Sequence, residues 1–254
     1  MIKAVFFDID GTLLSHRTNS VSVKTLQALN ELRAQGIKVI ICTGRHHLEM
    51  EELGLYAIPA DGYILLNGQI VMNEAHELIA SRPFHGEARD TMIRLFNEKK
   101  IPIVIMEEKR MYINCVTDFV REAQAAVHTS VAPVGEYTGN EFYMCMGYFN
   151  EYPDTVIPGV QRASWYEGAD DLIPDDVSKA AGMEAWMSHY GISRSDTMAF
   201  GDGDNDAEMI AYAGTGIAMG NATDRVKACA DYITADIDED GIHQALVHFG
   251  LLSV

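Results

Sequence analysis

The stretch Ala4-Val5-Phe6-Phe7-Asp8-Ile9-Asp10-Gly11-Thr12-Leu13 decides the fold and points to the chemistry. Its first four residues are apolar and read as a buried strand. The strand runs straight into two aspartates, two residues apart and followed by Gly-Thr. Carboxylates that close repel, and one is pushed toward protonation unless a counter-ion is present. A bound divalent cation removes that penalty. One carboxylate is then free to act as a nucleophile and the other as a proton shuttle. The pattern suits metal-assisted phosphoryl transfer through an aspartyl-phosphate. Asp-Gly is also an ordinary turn signal, so on these residues alone a strand closed by an acidic turn reads equally well.

Composition narrows the field. The chain has 254 residues, enough for one large domain or a core domain with an insertion. Hydrophobic residues make up 48% and charged residues 22%, so a full core forms without disulfide staples. The formal net charge of -18 argues against nucleic-acid or anionic-membrane binding, which need a basic surface. A phosphorylated substrate must then be drawn in by a local site, not by the global field. No apolar run approaches the roughly 20 residues of a membrane span, and the amino terminus lacks a basic-then-apolar signal. Cys42, Cys115, Cys145 and Cys229 show no Cys-x-x-Cys spacing, which points to reduced thiols in a cytoplasmic protein.

Strand and helix patterns alternate from the first aspartates onward. Ser22–Gln35 reads as a helix with Leu26, Leu29 and Leu32 on one face, closed by Gly36. Lys38–Cys42 reads as a second buried strand ending at Thr43-Gly44-Arg45, with a short helix over His46–Leu53. Gly62–Leu66 is a third strand, and Asn67-Gly68 predicts a tight hairpin with a return strand at Gln69–Met72. After Arg82-Pro83 the pattern changes. A helix carrying Met92, Leu95 and Phe96 precedes strands at Ile103–Met106 and Met111–Asn114, a helix near Thr117–Val127 and a strand at Phe142–Tyr148. Alternation resumes with a helix over Ser178–Tyr190 and strands at Thr197–Phe200, Thr215–Ala218 and Tyr232–Thr234, with a last helix near Gly241–Phe249. The expected architecture is an α/β, Rossmann-like parallel-sheet core over 1–82 and 176–254, split by an inserted α+β domain over 83–175.

Four groups of chemically capable residues follow predicted core strands or open a core helix. They are Asp8 with Asp10, Thr43-Gly44, Asp202 with Asn205 and Asp206, and Lys179. Sites in open parallel sheets form beyond the carboxyl ends of the strands, so all four groups are expected to converge on one crevice.

These stretches carry a resemblance. The chain resembles phosphatases of the haloacid dehalogenase superfamily, Cof-type subclass (IIB), which carry a large α/β cap inserted after the second motif. The matching segments are Phe7-Asp8-Ile9-Asp10-Gly11-Thr12-Leu13-Leu14, Cys42-Thr43-Gly44-Arg45, Leu66-Asn67-Gly68, Val177-Ser178-Lys179, Gly201-Asp202 with Asn205-Asp206, and Ile217-Ala218-Met219-Gly220-Asn221-Ala222. Their order and separations fit across essentially the whole chain. The resemblance implies Asp8 as nucleophile and Asp10 as acid, then base. It implies Mg2+ held by Asp8, the Asp10 backbone carbonyl and Asp202, with Asp206 as an outer or water-mediated ligand. Thr43, the Gly44 backbone and Asn205 are implied to bind the transferring phosphoryl oxygens, and Lys179 to supply the cation that phosphoryl transfer requires.

Other features bear on the reading. Arg45 is a candidate substrate contact or a structural ion pair. His46-His47 either touches substrate or forms an exposed helix start, and Asp204 reads as a solvated loop acid. Asp202–Asp206 mimics the start of a calcium loop, but the required Gly and closing Glu are absent. The inserted segment is expected to cover the crevice and select the leaving group, through the polar turn Glu107–Arg110 and the aromatic stretch Tyr143–Tyr152. The expected substrate is a small phosphorylated metabolite, a hexose phosphate first, with flavin mononucleotide or pyridoxal phosphate as alternatives. A sugar phosphomutase shares these motifs, and a non-catalytic sugar-phosphate binder would show erosion at Asp8, Asp10, Lys179 or Asp202, where none is seen. A monomer without nucleic-acid or membrane partners is expected.

Overall fold

The structure is a computed structural model that describes residues 1–253. Its strands, in chain order, are β1 (Ala4–Phe7), β2 (Leu14–Ser15), β3 (Ser20–Val21), β4 (Lys38–Cys42), β5 (Gly62–Leu65), β6 (Ile70–Asn73), β7 (Leu78–Ser81), β8 (Ile103–Met106), β9 (Met111–Ile113), β10 (Cys145–Tyr148), β11 (Val160–Tyr166), β12 (Ala169–Pro174), β13 (Thr197–Gly201), β14 (Thr215–Ala218) and β15 (Tyr232–Ile233). The helices are α1 (Val23–Ala34), α2 (His47–Glu52), α3 (Gly86–Glu98), α4 (Asp118–Ala126), α5 (Lys179–Tyr190), α6 (Ala207–Tyr212), α7 (Asp224–Cys229) and α8 (Gly241–His248). Among the described residues no helix is long and apolar enough to cross a membrane. The chain divides into two compact units. One comprises Met1–Arg45, Gly54–Ser81 and the chain from Ser178 onward; the other comprises His46–Leu53 and Arg82–Val177.

The first unit is built on an eight-stranded sheet ordered β15-β14-β13-β1-β4-β5-β6-β7. Pairings from β15 through β5 are parallel, and β6 and β7 extend one edge in antiparallel fashion. Parallel strands lose solvent on both faces and so must be apolar throughout. Every residue of β1 is buried, and Phe7 stacks on Phe200 of β13 with ring centroids 4.9 Å apart. Ser22 caps α1 by accepting from the Thr25 N–H, and Gly36, at φ 79°, lets the chain leave it. The buried face of α1 is Thr25, Ala28, Leu29 and Leu32; Leu26, expected on that face, is only partly covered.

The Asn67-Gly68 segment departs from the expected tight turn. Leu65 pairs with Ile70, so the connection is four residues long, with positive φ at Leu66, Asn67 and Gly68. Its shape follows from what it packs on. A Cβ on Gly68 would fall 2.1 Å from the Ser178 carbonyl oxygen, and a Cβ on Gly182 would fall 2.5 Å from Ile64. Glycine at both places lets this loop lie directly on the first turn of α5. Strand β7 and the small β2/β3 hairpin were not anticipated, being short and weakly patterned.

The second unit is an α+β domain whose five-stranded antiparallel sheet runs β11-β12-β10-β8-β9. Met92 and Phe96 of α3 pack with Ile103, Ile105, Cys145 and Leu172 of the sheet. Sequence pattern missed the β11/β12 hairpin because Ala169–Pro174 carries two aspartates. Asp170 is nevertheless buried, and the Arg162 Nε donates to it at 2.6 Å across the hairpin. Parts of the two stretches singled out in the inserted segment serve its own packing. Phe149 of the aromatic stretch belongs to the hydrophobic core, as does Phe142 just before it, and the Tyr148 hydroxyl accepts from buried Gln124. Glu107 is buried in its turn, accepting from Tyr112 and Thr138 at one oxygen and Asn140 at the other. The contacts also group His46–Leu53 with this unit, because His46 Nε2 lies 2.7 Å from the Glu107 carbonyl and Ser130 donates to Glu52.

Candidate active site

Every residue that forms this site lies in the first unit, at the carboxyl ends of its strands or the start of α5. The Asp8 N–H bonds the Phe200 carbonyl at 3.0 Å, which continues the β1/β13 ladder past the end of the strand and fixes where the side chain begins. Ser178 caps α5, so Lys179 opens that helix. Its Nζ donates to Asp8 Oδ1 and to Asp206 Oδ1, each at 2.6 Å, and the side chain is 1% exposed. Burial opposes the Lys179 charge, but Asp206 and Asp8 outweigh it and hold its pKa above that of an ordinary lysine. Burial and the Asp206 charge push Asp8 well above the usual carboxylate range, with Lys179 working against them. The Lys179 shift comes from the two carboxylates beside it, whereas the Asp8 shift comes first from burial and then from its carboxylate neighbours.

Asp206 uses both its oxygens. The second accepts the Asp202 and Gly203 N–H groups, each at 3.0 Å, and so shapes the loop after β13. Gly201 has no room for a side chain there, since a Cβ would fall 2.5 Å from the Asp206 Cβ. Asp202 projects toward the loop after β1, where the Thr12 hydroxyl donates to its Oδ1 at 2.7 Å. Burial lifts Asp202 to about 7, against the Thr12 hydrogen bond and with the Asp206 charge adding to it. Gly11, at φ 84°, lies against this carboxylate, and a Cβ there would meet Asp202 Oδ2 at 2.2 Å.

Asp10 faces Arg45. The guanidinium grips both carboxylate oxygens, Nη2 at 2.7 Å and Nε at 2.8 Å, the planar two-point geometry that favours arginine over lysine. Of the two readings of Arg45, the ion pair is therefore realised. Thr43 is buried at the end of β4, and its hydroxyl accepts the Arg45 N–H at 3.1 Å. Gly44, half-buried, completes that turn. The Thr43 carbonyl accepts the Asn67 N–H at 3.0 Å, and Asn67 in turn accepts from Asn205 Nδ2 at 3.0 Å. Two hydrogen-bonded sets thus form, one joining Asp8, Lys179, Asp206 and Asp202, the other joining Asp10, Arg45, Thr43, Asn67 and Asn205, and the two meet where Asn205 and Asp206 are neighbours in the chain.

The donor set fits a hard divalent cation. Carboxylate oxygens of Asp8, Asp202 and Asp206 all lie within 4.8 Å of one another, and Mg2+ takes oxygen ligands. Burial raises Asp8 and Asp202 first and neighbouring carboxylates add to it, so a bound metal would favour both anions by offsetting that charge.

Sequence reasoning did not assign roles to Thr12, Asn67 or Asn221, although all three fall inside the quoted motifs. His46 belongs to neither set. It starts α2 as expected, capping it by accepting from Leu48, but it is buried in the second unit and not exposed. His47 pairs with Glu51 at 3.2 Å. Asp204 is exposed as expected and accepts from Thr223.

With the geometry in hand, the similarities become informative. A family model described as haloacid dehalogenase-like hydrolase matches residues 5–246. YkrA of Bacillus subtilis (strain 168) is 34% identical, over 98% of this chain and 98% of its own. Pyridoxal phosphate phosphatase YbhA of Escherichia coli (strain K12) is 26% identical, over 95% of this chain and 96% of its own. Among solved structures, the HAD subclass IIB sugar phosphatase BT4131 is 33% identical with a TM-score of 0.85, covering 98% of this chain and 100% of that one. The phosphatase BT1666 from Bacteroides thetaiotaomicron is 32% identical with a TM-score of 0.88, covering 99% and 96%. The match spans both the sheet that presents the aspartates and the inserted α+β domain. The chain belongs to the haloacid dehalogenase-like hydrolases, and it is a phosphatase of their Cof-type subclass.

Proposed function

We propose that this phosphatase is Mg2+-dependent and hydrolyses small phosphomonoesters, hexose phosphates first, through an aspartyl-phosphate on Asp8. The observation that carries this reading is the single cluster of Asp8, Lys179, Asp206 and Asp202, with carboxylate oxygens spaced for one metal ion. Asp8, the Asp10 backbone carbonyl and Asp202 would hold Mg2+, with Asp206 behind them. The ion supplies positive charge that offsets repulsion between Asp8 and an incoming phosphate dianion.

The residues divide the work. An Asp8 carboxylate oxygen attacks phosphorus as the bond to the leaving oxygen breaks. Asp10, in its acid form, gives that oxygen a proton and is left as a carboxylate. Water then attacks the phosphorus of the aspartyl-phosphate, Asp10 takes its proton, and phosphate leaves with Asp8 restored. Arg45 must release Asp10 for this to happen, and a phosphate dianion offers the guanidinium an alternative partner. Lys179, Thr43, the Gly44 backbone and Asn205 hold the phosphoryl oxygens as charge builds on them. Substrate preference is assigned to the inserted domain, since these groups meet only the phosphoryl end. The likeness to the sugar phosphatase BT4131 supports a sugar phosphate, and YbhA supports pyridoxal phosphate as a second reading.

The test is phosphate release from hexose phosphates, pyridoxal phosphate and flavin mononucleotide, with Mg2+ or with chelator, for the parent and Asp8→Asn. Turnover that needs both Asp8 and Mg2+, and is greatest on a hexose phosphate, is expected. Preference for pyridoxal phosphate would favour the second reading. Turnover that survives chelation or Asp8→Asn would sink the mechanism.

A further inference from the structure

The last of the quoted motifs, Ile217–Ala222, is left without a task by the chemistry above, yet its asparagine reaches the site. We infer that Asn221 is a positioning residue that fixes the Asp202 carboxylate and the Asp10-Gly11 turn for metal binding; this rests on the Mg2+ reading.

Asn221 follows β14 and is exposed, but both ends of its amide are engaged with the protein. Nδ2 donates to the Gly11 carbonyl at 2.8 Å and lies 3.4 Å from Asp202 Oδ2. Oδ1 accepts the Ile237 N–H at 3.0 Å. One side chain therefore ties together three segments more than two hundred positions apart at their extremes. Two of these carry the expected metal ligands: the Asp202 side chain, and the Asp10 carbonyl one peptide before Gly11.

The loop that carries Asn221 is itself held at three points. The Gly220 N–H bonds the Ala235 carbonyl and the Thr223 N–H bonds the Asp202 carbonyl, both at 3.0 Å. Gly220 also lies so close to the 235–236 backbone that a Cβ would fall 2.5 Å from the Asp236 nitrogen. Asn221 thus acts from a fixed base. Asp202 then has a donor on each oxygen, the Thr12 hydroxyl at Oδ1 and the Asn221 amide at Oδ2. A carboxylate held from both sides keeps its orientation whether or not a cation is bound. The Asn221 oxygen cannot turn toward Asp202 without losing Ile237, so the amide presents its donor end to the site.

Partners that orient a metal ligand are worth about 10- to 100-fold in metal affinity or activity. The experiment is calorimetric titration of Mg2+ into metal-free full-length protein, for the parent, Asn221→Ala and Asn221→Ser, with thermal melts in chelator. Serine keeps a polar loop residue but is too short to span to Gly11, so it decides the matter where the alanine variant fails to fold. Expected is a Mg2+ dissociation constant raised about 10- to 100-fold, with metal-free melting unchanged. Parent-like Mg2+ affinity in a folded variant overturns the inference and leaves the metal reading intact. A lowered metal-free melting temperature with unchanged affinity shows a merely structural role and overturns it equally. A parent that takes up no Mg2+ removes the metal reading and this inference together.

Discussion

Lys179 and Asp206 form a 2.6 Å ion pair in which the two side chains are 1% and 0% exposed, so neither charge has solvent to fall back on. Lys179 also holds Asp8 at 2.6 Å, which makes it the cation that bridges two buried carboxylates. Removing one partner of a buried pair costs about 3–5 kcal/mol because the other is left uncompensated. Lys179→Met should lower the urea midpoint accordingly and cut phosphate release roughly 100- to 1000-fold, as for loss of one transition-state donor. A variant with parent stability would show that the carboxylates relax or protonate at little cost.

Asp8→Asn should separate catalysis from folding. Burial and the neighbouring Asp206 disfavour the Asp8 anion, and Lys179 keeps Asp206 as a partner when Asp8 is neutral. Phosphate release should vanish while the metal-free protein stays at least as stable as the parent. Urea unfolding in chelator checks this. A drop in stability would mean the attraction to Lys179 outweighs the crowding.

Gly68→Ala should disable the enzyme from a distance. At φ 103° the residue is unfavourable for any side chain, and the added Cβ would collide with the Ser178 carbonyl next to Lys179. The first turn of α5 must then shift, and misplacement of about 1 Å is enough to lose roughly 100-fold in rate. Steady-state kinetics should show the loss in kcat at a temperature where the variant remains folded. An unchanged kcat would show that the loop yields instead of the helix.

His46 should impose an acid limit on stability. Its Nδ1 accepts the Leu48 N–H, so the proton sits on Nε2, facing the Glu107 carbonyl. Burial lowers its pKa to about 4, against the Glu107 carbonyl and with His47 adding to the drop, from the ordinary 6.5. Between those values the unfolded chain binds the extra proton and the folded one does not. This contribution is therefore fully present above about pH 6.5 and falls as pH drops toward 4, by about 3 kcal/mol in all. His46→Asn keeps a capping side chain without a titrating ring. The stability difference between parent and variant should shift in the parent's disfavour on acidification; a difference that does not vary with pH would contradict the assignment.

Much of the fold was legible in the chain because parallel strands and their helices advertise themselves. The runs Ala4–Phe7, Lys38–Cys42, Ile103–Met106 and Thr215–Ala218 are apolar, bounded by turn residues, and appear as strands with those limits. Ser22, Ser178 and Gly36 marked helix ends for reasons local to a few residues. The β11/β12 hairpin was not legible, because Asp170 belongs in a strand only once Arg162 is opposite it. The fate of Phe149 was hidden similarly: an aromatic run reads alike as a ligand surface or as core.

The sequence by itself determined the chemistry on offer: two aspartates after a buried strand, a threonine-glycine turn, a lysine at a helix start and a late acidic loop, each set by local pattern. Only the tertiary structure decided who faces whom. Asp10 with Arg45, Asp202 with Thr12 and Asn221, and Lys179 between Asp8 and Asp206 are pairings across tens to hundreds of positions. Local propensity acts over a few residues, whereas these contacts exist because sheet order brings the carboxyl ends of β1, β4, β13 and β14 side by side. Burial there then changes the charges themselves, which no reading of neighbours along the chain contains.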